Sequence, residues 1–87
     1  MTMGQFYVYI LMCEKDKSFY TGYTADLTRR IKEHNIGKGA KYTRTRGPVE
    51  LLYYEEHISR QRAMQREREI KKLSRHKKMQ LINREMK

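Results

Sequence analysis

The run Phe6–Met12 restricts the fold of this chain more than any other segment. It reads F-Y-V-Y-I-L-M, and in an extended strand its alternate residues would point to opposite faces of a sheet. Both faces of that strand would be largely apolar, which is typical of a strand covered on both sides. The sequence therefore predicts a central strand over Phe6–Met12.

Two further segments have the composition of strands. Phe19–Thr24 is rich in aromatic and β-branched residues, and the polar segment Cys13–Ser18 would join it to the first strand as an antiparallel hairpin. Val49–Glu56 reads V-E-L-L-Y-Y-E-E and predicts a third strand that ends in acidic residues.

Three helices are predicted between and after these strands. The first begins at a cap provided by Thr24 or Asp26, buries Leu27 and Ile31, and ends at Gly37. The segment Gly37–Pro48 is predicted to be a basic loop. Ser59 would cap a long helix, and Ser74 would separate it from the last one; the predicted bounds are Arg60–Leu73 and Arg75–Arg84.

The resulting order is ββαβαα. It predicts an α/β domain of the α+β kind, with a small three-stranded antiparallel sheet flanked by helices. No internal repeat and no Gly/Ser-rich or Pro-rich linker divides the 87 residues, so we expect a single domain over 1–87 with its core at about 6–82.

The charge of the chain points to a polyanionic partner. The formal net charge is +10, and most of it lies in the second part: residues 1–56 have a net charge of +2 and residues 57–87 one of +8. Nucleic acid is the simplest such partner, with DNA favoured over RNA, although a solvated basic helical surface is the plain alternative.

Several classes of protein are excluded. No apolar run approaches the ~20 residues of a membrane span, so no membrane partner is expected, and no signal peptide is visible. The one cysteine, Cys13, excludes an internal disulfide framework and a zinc ribbon, and we expect it to be structural. The sequence thus predicts a cytoplasmic, soluble protein, and it leaves protein partners and oligomeric state open.

Two tyrosines of the hairpin are candidates for a functional site. With a turn at Cys13–Ser18, Tyr9 would lie opposite either Tyr20 or Gly22, so both phenols could meet on one face. Gly22 would leave room for a ligand backbone to come close. Tyrosines in strands are also common packing residues with a solvated hydroxyl, which is the alternative for this pair.

Three charged or titratable residues stand out on the helices. Arg30 and His34 are spaced i, i+4 and are therefore neighbours on a helix that must pack on the hairpin. Glu67 lies on the apolar side of the long helix with Ala63 and Ile70, where a carboxylate is costly unless it is paired or bound to a metal. The alternatives are an exposed Arg30, a half-buried His34 and a salt bridge from Glu67 to an arginine.

Together these residues resemble a known family. Tyr7-Val8-Tyr9 followed by Tyr20-Thr21-Gly22 is similar to the paired signature of the GIY-YIG nuclease superfamily. An Arg ten residues after the second Tyr, a His four later and the Glu of Ala63-Met64-Gln65-Arg66-Glu67 are similar to that pattern too. The resemblance spans about Phe6 to Ile82 and is strongest to the small, stand-alone bacterial branch.

The resemblance implies hydrolysis of phosphodiesters with one divalent metal ion. It implies that Glu67 holds one Mg²⁺ or Mn²⁺ ion, that Arg30 contacts the scissile phosphate, and that Tyr20 positions water or phosphate. Either Tyr9 or His34 would be the base, and the sequence does not rank them.

The basic residues of the loop and the long helix are proposed nucleic-acid contacts, with plain solvation as the alternative for each. Tyr42 would stack on a base and the others would contact phosphates; the set is Lys38, Lys41, Tyr42, Arg44, Arg46, Arg62, Arg66, Arg68, Lys71 and Lys72.

Three functions remain open. The first is a metal-dependent DNA endonuclease, selective for structure and acting in repair or recombination. The second is a catalytically silent nucleic-acid-binding module with the same fold, and the third is an accessory module of a larger assembly. A helix-turn-helix over Arg60–Arg84 is disfavoured, because the break at Leu73-Ser74 has no turn glycine.

Overall fold

The sheet has the predicted strands and the predicted order. The computed structural model describes residues 5–85, so residues 1–4 and 86–87 of the expected single domain lie outside it. Its strands are β1 (Phe6–Cys13), β2 (Phe19–Thr24) and β3 (Val49–His57), in the antiparallel order β2-β1-β3. The central position of β1 is therefore confirmed.

Within the described residues, four helices accompany the sheet. They are α1 (Leu27–Asn35), α2 (Lys41–Arg44), α3 (Arg60–Lys71) and α4 (Arg75–Glu85). Asp26, not Thr24, caps α1 by accepting a hydrogen bond from the backbone N–H of Arg29. Ser59 caps α3 as predicted, by accepting from the backbone N–H of Arg62.

The prediction of a plain loop over Gly37–Pro48 is wrong, because the segment contains the short helix α2. The carbonyl of Ala40 accepts from the backbone N–H groups of Thr43 and Arg44, and the Thr43 hydroxyl also donates to it. Three donors on one carbonyl close a turn that has no apolar periodicity in the sequence.

The two faces of β1 belong to two separate apolar clusters, which places helices on both faces of the sheet. Val8 and Ile10 pack with α3 and α4 residues, Ile70 among them. Tyr9 and Leu11 pack on the other face, where α1 covers them. The fold is thus a sheet between two helical layers, and no helix within residues 5–85 is long and apolar enough to cross a membrane.

Helix α3 runs in the same direction as β1. The guanidinium of Arg60, at the start of α3, lies 5.8 Å from the ring of Phe6 at the start of β1. The guanidinium of Arg75, just after α3, lies 4.2 Å from the ring of Phe19, which pairs with Met12 near the end of β1.

Candidate functional site

Four of the five predicted catalytic residues meet on the face of the sheet that α1 covers. The Tyr9 hydroxyl and His34 Nε2 are 3.0 Å apart, and both residues are only 1% exposed. The ring of Tyr20 lies 6.4 Å from the ring of Tyr9 and 5.3 Å from that of His34. The fourth residue, Arg30, lies on α1 one turn before His34, and its guanidinium favours the ionised form of the Tyr9 hydroxyl.

The space above Gly22 is taken by Tyr9, which corrects the expectation that a ligand backbone approaches there. Tyr9 pairs with Gly22 across the strands, so of the two registers that the sequence allows this one is found. A Cβ at Gly22 would lie 2.6 Å from the Tyr9 hydroxyl oxygen and 3.1 Å from the ring of Tyr20. The glycine therefore allows the Tyr9 phenol to lie across β2 beside Tyr20.

Burial raises the pKa of Tyr9 to about 12, while the Arg30 guanidinium beside the hydroxyl opposes the rise. Arg30 is held in place by Glu33, whose Oε1 lies 2.9 Å from Arg30 Nη1. The Arg30 side chain is 31% exposed, so its guanidinium can contact both the buried phenol and a ligand in solvent.

Burial and the charge of Arg30 lower the pKa of His34 to about 4, so its ring is neutral at neutral pH. Its second ring nitrogen, Nδ1, lies 2.7 Å from the Thr43 hydroxyl oxygen. Thr43 is fully buried, and the sequence reasoning missed it as a site residue. The only signal was its place in the basic segment after α1, nine residues beyond His34.

The aromatic residues continue outward from the site as a column. Tyr42 stacks on Tyr20 with 6.0 Å between ring centroids, and the Arg46 guanidinium lies 4.0 Å above the Tyr42 ring. Arg46 is fixed further by Asp16 at 3.1 Å and by the backbone carbonyl of Tyr42. The Arg46 guanidinium is therefore engaged in contacts that hold Tyr42 in place, while the Tyr42 side chain is partly exposed.

The fifth predicted catalytic residue, Glu67, comes from the opposite helical layer. On α3, Glu67 is rotated about 40° around the helix axis from the buried Ala63, which places it at one border of the side that faces the core. Arg66 on the other border bonds Glu55 of β3 at 2.8 Å, so the border with Glu67 faces the other edge strand, β2.

Glu67 lies in the second half of α3, close enough to Tyr9 for its charge to act on the phenol. Its side chain is 17% exposed, and its carboxylate lies 3.6 Å from Lys71, so Glu67 does form a salt bridge, with a lysine in place of the expected arginine. The structure does not place it in contact with the other four residues, yet its charge contributes to the raised pKa of Tyr9.

The chemistry of Glu67 suits a hydrated hard cation. Mg²⁺ in proteins is commonly held by one or two carboxylates and completes its shell with waters and substrate phosphates. Within residues 5–85 no group of three His, Cys, Asp or Glu side chains could enclose a metal ion, which disfavours a closed all-protein site. A single carboxylate, Glu67, fits the first kind of site, in which waters and substrate phosphates complete the shell of the ion.

A groove of about 430 Å³ at the outer edge of β2 joins the two layers. Arg29 and Arg30 line it from α1, Arg60 lines it from α3, and Tyr23 lies on the strand between them. Arg60 precedes Glu67 by seven residues and therefore lies on the same side of α3. At this edge of β2 both helical layers therefore present charged groups to the same open space.

The cations predicted to contact nucleic acid differ in whether an acidic side chain pairs with them. Arg66 bonds both Glu55 and Glu69, Arg46 bonds Asp16, and Lys71 faces Glu67. The remaining cations of that set are exposed and sit in the α1–β3 segment or on the end and outer side of α3; they are Lys38, Lys41, Arg44, Arg62, Arg68 and Lys72.

Comparisons with known proteins agree with this architecture. The family model of the GIY-YIG catalytic domain matches residues 5–80. A UPF0213 protein of Clostridium perfringens is 58% identical over 77 residues, which cover 88% of this chain and 82% of the relative. A UPF0213 protein of Natronomonas pharaonis is 57% identical over 76 residues, covering 87% of this chain and 88% of the relative.

Two solved structures are also similar. The solution NMR structure of a UPF0213 protein from Bacillus halodurans has a TM-score of 0.58 at 58% identity, covering 90% of this chain and 82% of that one. The solution NMR structure of a protein from E. faecalis has a TM-score of 0.59 at 40% identity, covering 93% and 86%. With its paired strand motifs, its sheet between two helical layers and this match, the chain belongs to the GIY-YIG catalytic domain family.

Proposed function

We propose that this protein is a metal-dependent endonuclease that hydrolyses phosphodiester bonds in DNA. The observation that carries the proposal is the buried hydrogen bond between Tyr9 and His34 beside the half-exposed Arg30. A phosphodiester resists attack because it is negatively charged, so a hydrolase needs a proton acceptor for water and a cation for the phosphate. These three side chains supply both in one place.

Arg30 would bind the scissile phosphate. Its planar guanidinium can donate two parallel hydrogen bonds to phosphate oxygens, and Glu33 keeps it oriented at 2.9 Å. A bound phosphate would also offset the positive charge that lowers the pKa of His34, which makes the imidazole a better proton acceptor in the complex than in the free protein.

Tyr9 and His34 would act as a pair. The Tyr9 phenol, with a pKa near 12, holds its proton at neutral pH, so it cannot be a base by prior ionisation. It can accept the proton of water while its own proton passes to His34 Nε2 at 3.0 Å. Tyr20 would pack against both rings and orient the water with its hydroxyl.

Glu67 would hold the metal ion at the edge of β2, where a bound divalent cation would offset charge on the phosphate oxygens. We propose that the substrate is recognised by its shape rather than its base sequence, as expected in repair or recombination. The exposed lysines and arginines around the site suit phosphate groups, and Tyr42 suits base stacking.

The test is cleavage of labelled DNA by the purified protein, with Mg²⁺, with Mn²⁺ and with chelator. Single-stranded, nicked, flap and junction DNA and a matched RNA should be compared. We expect metal-dependent cleavage that falls about 100-fold or more in Glu67→Gln, Arg30→Ala and Tyr9→Phe.

Two matched variants control this experiment. Glu69→Gln changes an exposed carboxylate on the same helix, and Tyr54→Phe changes the exposed tyrosine that pairs with Tyr9 from β3. Both should cleave like the wild type. Cleavage that survives Glu67→Gln would contradict the proposed site, and tight DNA binding with no cleavage of any substrate would indicate the silent binding module instead.

A further inference from the structure

His34 has both ring nitrogens engaged in a chain of buried hydrogen bonds. Nε2 lies 3.0 Å from the Tyr9 hydroxyl, and Nδ1 lies 2.7 Å from the hydroxyl oxygen of Thr43. That hydroxyl in turn lies 3.0 Å from the carbonyl oxygen of Ala40. The chain therefore runs from Tyr9 on β1 through α1 to the backbone at the start of α2.

The Ala40 carbonyl, where this series of hydrogen bonds ends, determines which atom donates in each bond. A carbonyl oxygen only accepts, so the Thr43 hydroxyl must donate to Ala40. A lone pair of the Thr43 hydroxyl oxygen then faces His34 Nδ1, so Nδ1 must carry a hydrogen. A neutral imidazole has one N–H, so Nε2 is left as an acceptor and Tyr9 donates to it.

We propose that Thr43 is the positioning residue that fixes His34 in the Nδ1–H tautomer, so that Nε2 faces Tyr9 ready to accept a proton. The assignment gives the short helix α2 a role: it presents the Thr43 hydroxyl to a ring buried beneath it. Its catalytic consequence rests on the proposed nuclease function, whereas the tautomer itself does not.

Gly39 supports the same role for this segment. A Cβ at Gly39 would lie 2.3 Å from His34 Nδ1 and 2.7 Å from His34 Cα. The backbone before α2 thus lies directly against the ring edge that carries the Nδ1 hydrogen, and a side chain there would separate Thr43 from His34. This close approach explains why the segment has glycine at position 39.

The tautomer decides where protons go in the proposed reaction. The water oxygen forms a bond to phosphorus while the bond from phosphorus to the leaving oxygen breaks. The proton of water moves to the Tyr9 oxygen, the phenol proton moves to His34 Nε2, and the leaving oxygen takes a proton from solvent. With the hydrogen on Nε2 instead, the imidazole would donate to Tyr9 and could accept nothing from it.

The experiment measures the tautomer and the rate separately in three proteins: wild type, Thr43→Val and Thr43→Ser. The ¹⁵N chemical shifts of the ring nitrogens, assigned with His34→Gln, report which nitrogen carries the hydrogen near neutral pH. Single-turnover cleavage gives the rate, and binding of DNA in chelator gives the affinity. The ring signals of His57 and His76 serve as internal references.

We expect the Nδ1–H tautomer in the wild type and in Thr43→Ser, and the Nε2–H tautomer in Thr43→Val. We expect Thr43→Val to cut about 100-fold more slowly with affinity for DNA within about twofold of the wild type, and Thr43→Ser to restore the rate.

A wild-type His34 with its hydrogen on Nε2 would overturn the proposal, even if Thr43→Val does not fold. An unchanged tautomer in a folded Thr43→Val would overturn it as well. Failure of the wild type to cleave any substrate would contradict the proposed function alone, because the tautomer would still be read from the spectra.

Discussion

At the scale of single residues, two glycines make the site possible because neighbouring rings occupy their side-chain space. Gly22 leaves room for the Tyr9 phenol, and Gly39 lies against the imidazole of His34. Neither glycine is needed for a turn with positive φ, unlike Gly37, which has a φ of +83° after the end of α1. Both act by leaving space for a neighbouring ring.

We predict that Gly22→Ala displaces the Tyr9 phenol and lowers the free energy of unfolding by about 1–3 kcal/mol. The reason is the 2.6 Å separation between the new Cβ and the Tyr9 hydroxyl oxygen. Chemical denaturation measures the loss. Gly47→Ala is the control, since its nearest contact would be an ordinary 3.7 Å and its stability should change by less than about 0.5 kcal/mol. Equal stability of the two variants would contradict the prediction.

We predict that acid weakens the fold through His34. Its folded pKa of about 4 lies below the ordinary value of 6.5, so between these values the unfolded chain binds more protons. The stability contributed by the neutral ring is complete above pH 6.5 and is lost as the pH falls toward 4, on the order of 3 kcal/mol in all.

Denaturation at pH 7 and at pH 4.5 measures this effect. The loss should be smaller in His34→Gln, which has no ring to titrate, and should persist in His76→Gln, which changes an exposed histidine of α4. A His34→Gln protein with the wild-type pH dependence would refute this assignment.

At the scale of elements, the sequence predicted those parts of the fold that local pattern controls. The strand β1 is apolar on both faces and is central, and the caps Asp26 and Ser59 stand where polar residues precede helices. The helix α2 could not be predicted, because one turn of helix is not stable by itself and here depends on Ala40 and on the His34 ring beneath it.

The candidate site, too, could be predicted only where local sequence pattern controls it. Tyr9, Tyr20, Arg30 and His34 could be brought together from strand pairing and helix spacing. Thr43 could not, because its contact with His34 depends on the path of a loop. The sequence also could not show which basic residues of α3 are paired and which are free, since this depends on the contact between Arg66 and Glu55 of β3.

We predict that Arg66 is a structural residue and that Arg62 is a nucleic-acid contact. Arg66 bonds the half-buried Glu55 at 2.8 Å, and that carboxylate also bonds His57. Burial of such a pair makes the loss of one partner costly, so Arg66→Ala should lower the free energy of unfolding by on the order of 2 kcal/mol.

Arg62→Ala should leave stability within about 0.5 kcal/mol of the wild type and weaken DNA binding, because Arg62 is exposed on α3. Thermal unfolding and DNA titration in chelator separate the two effects. The interpretation fails if Arg66→Ala is as stable as Arg62→Ala.

At the scale of the whole molecule, the excess of positive charge is divided between cations that acidic side chains hold in place and cations that are exposed. Several acidic side chains are occupied in fixing particular cations: Glu33 holds Arg30, and Asp16 holds Arg46. Among the cations predicted to contact nucleic acid, those left exposed come from the segment between α1 and β3 and from α3 and its end. These exposed cations are available to a polyanion.

We predict that DNA binding in chelator weakens steeply with salt, because the exposed cations displace counterions from the phosphates. For duplex DNA the slope of log affinity against log salt should be about −0.9 for each phosphate neutralised. Alanine at Lys41 or Lys72 should each reduce the slope by about one contact. Tyr54→Phe should leave it unchanged, since this substitution changes no charge. An affinity independent of salt would exclude the electrostatic surface, and a slope that neither lysine variant reduces would place the nucleic acid elsewhere on the molecule.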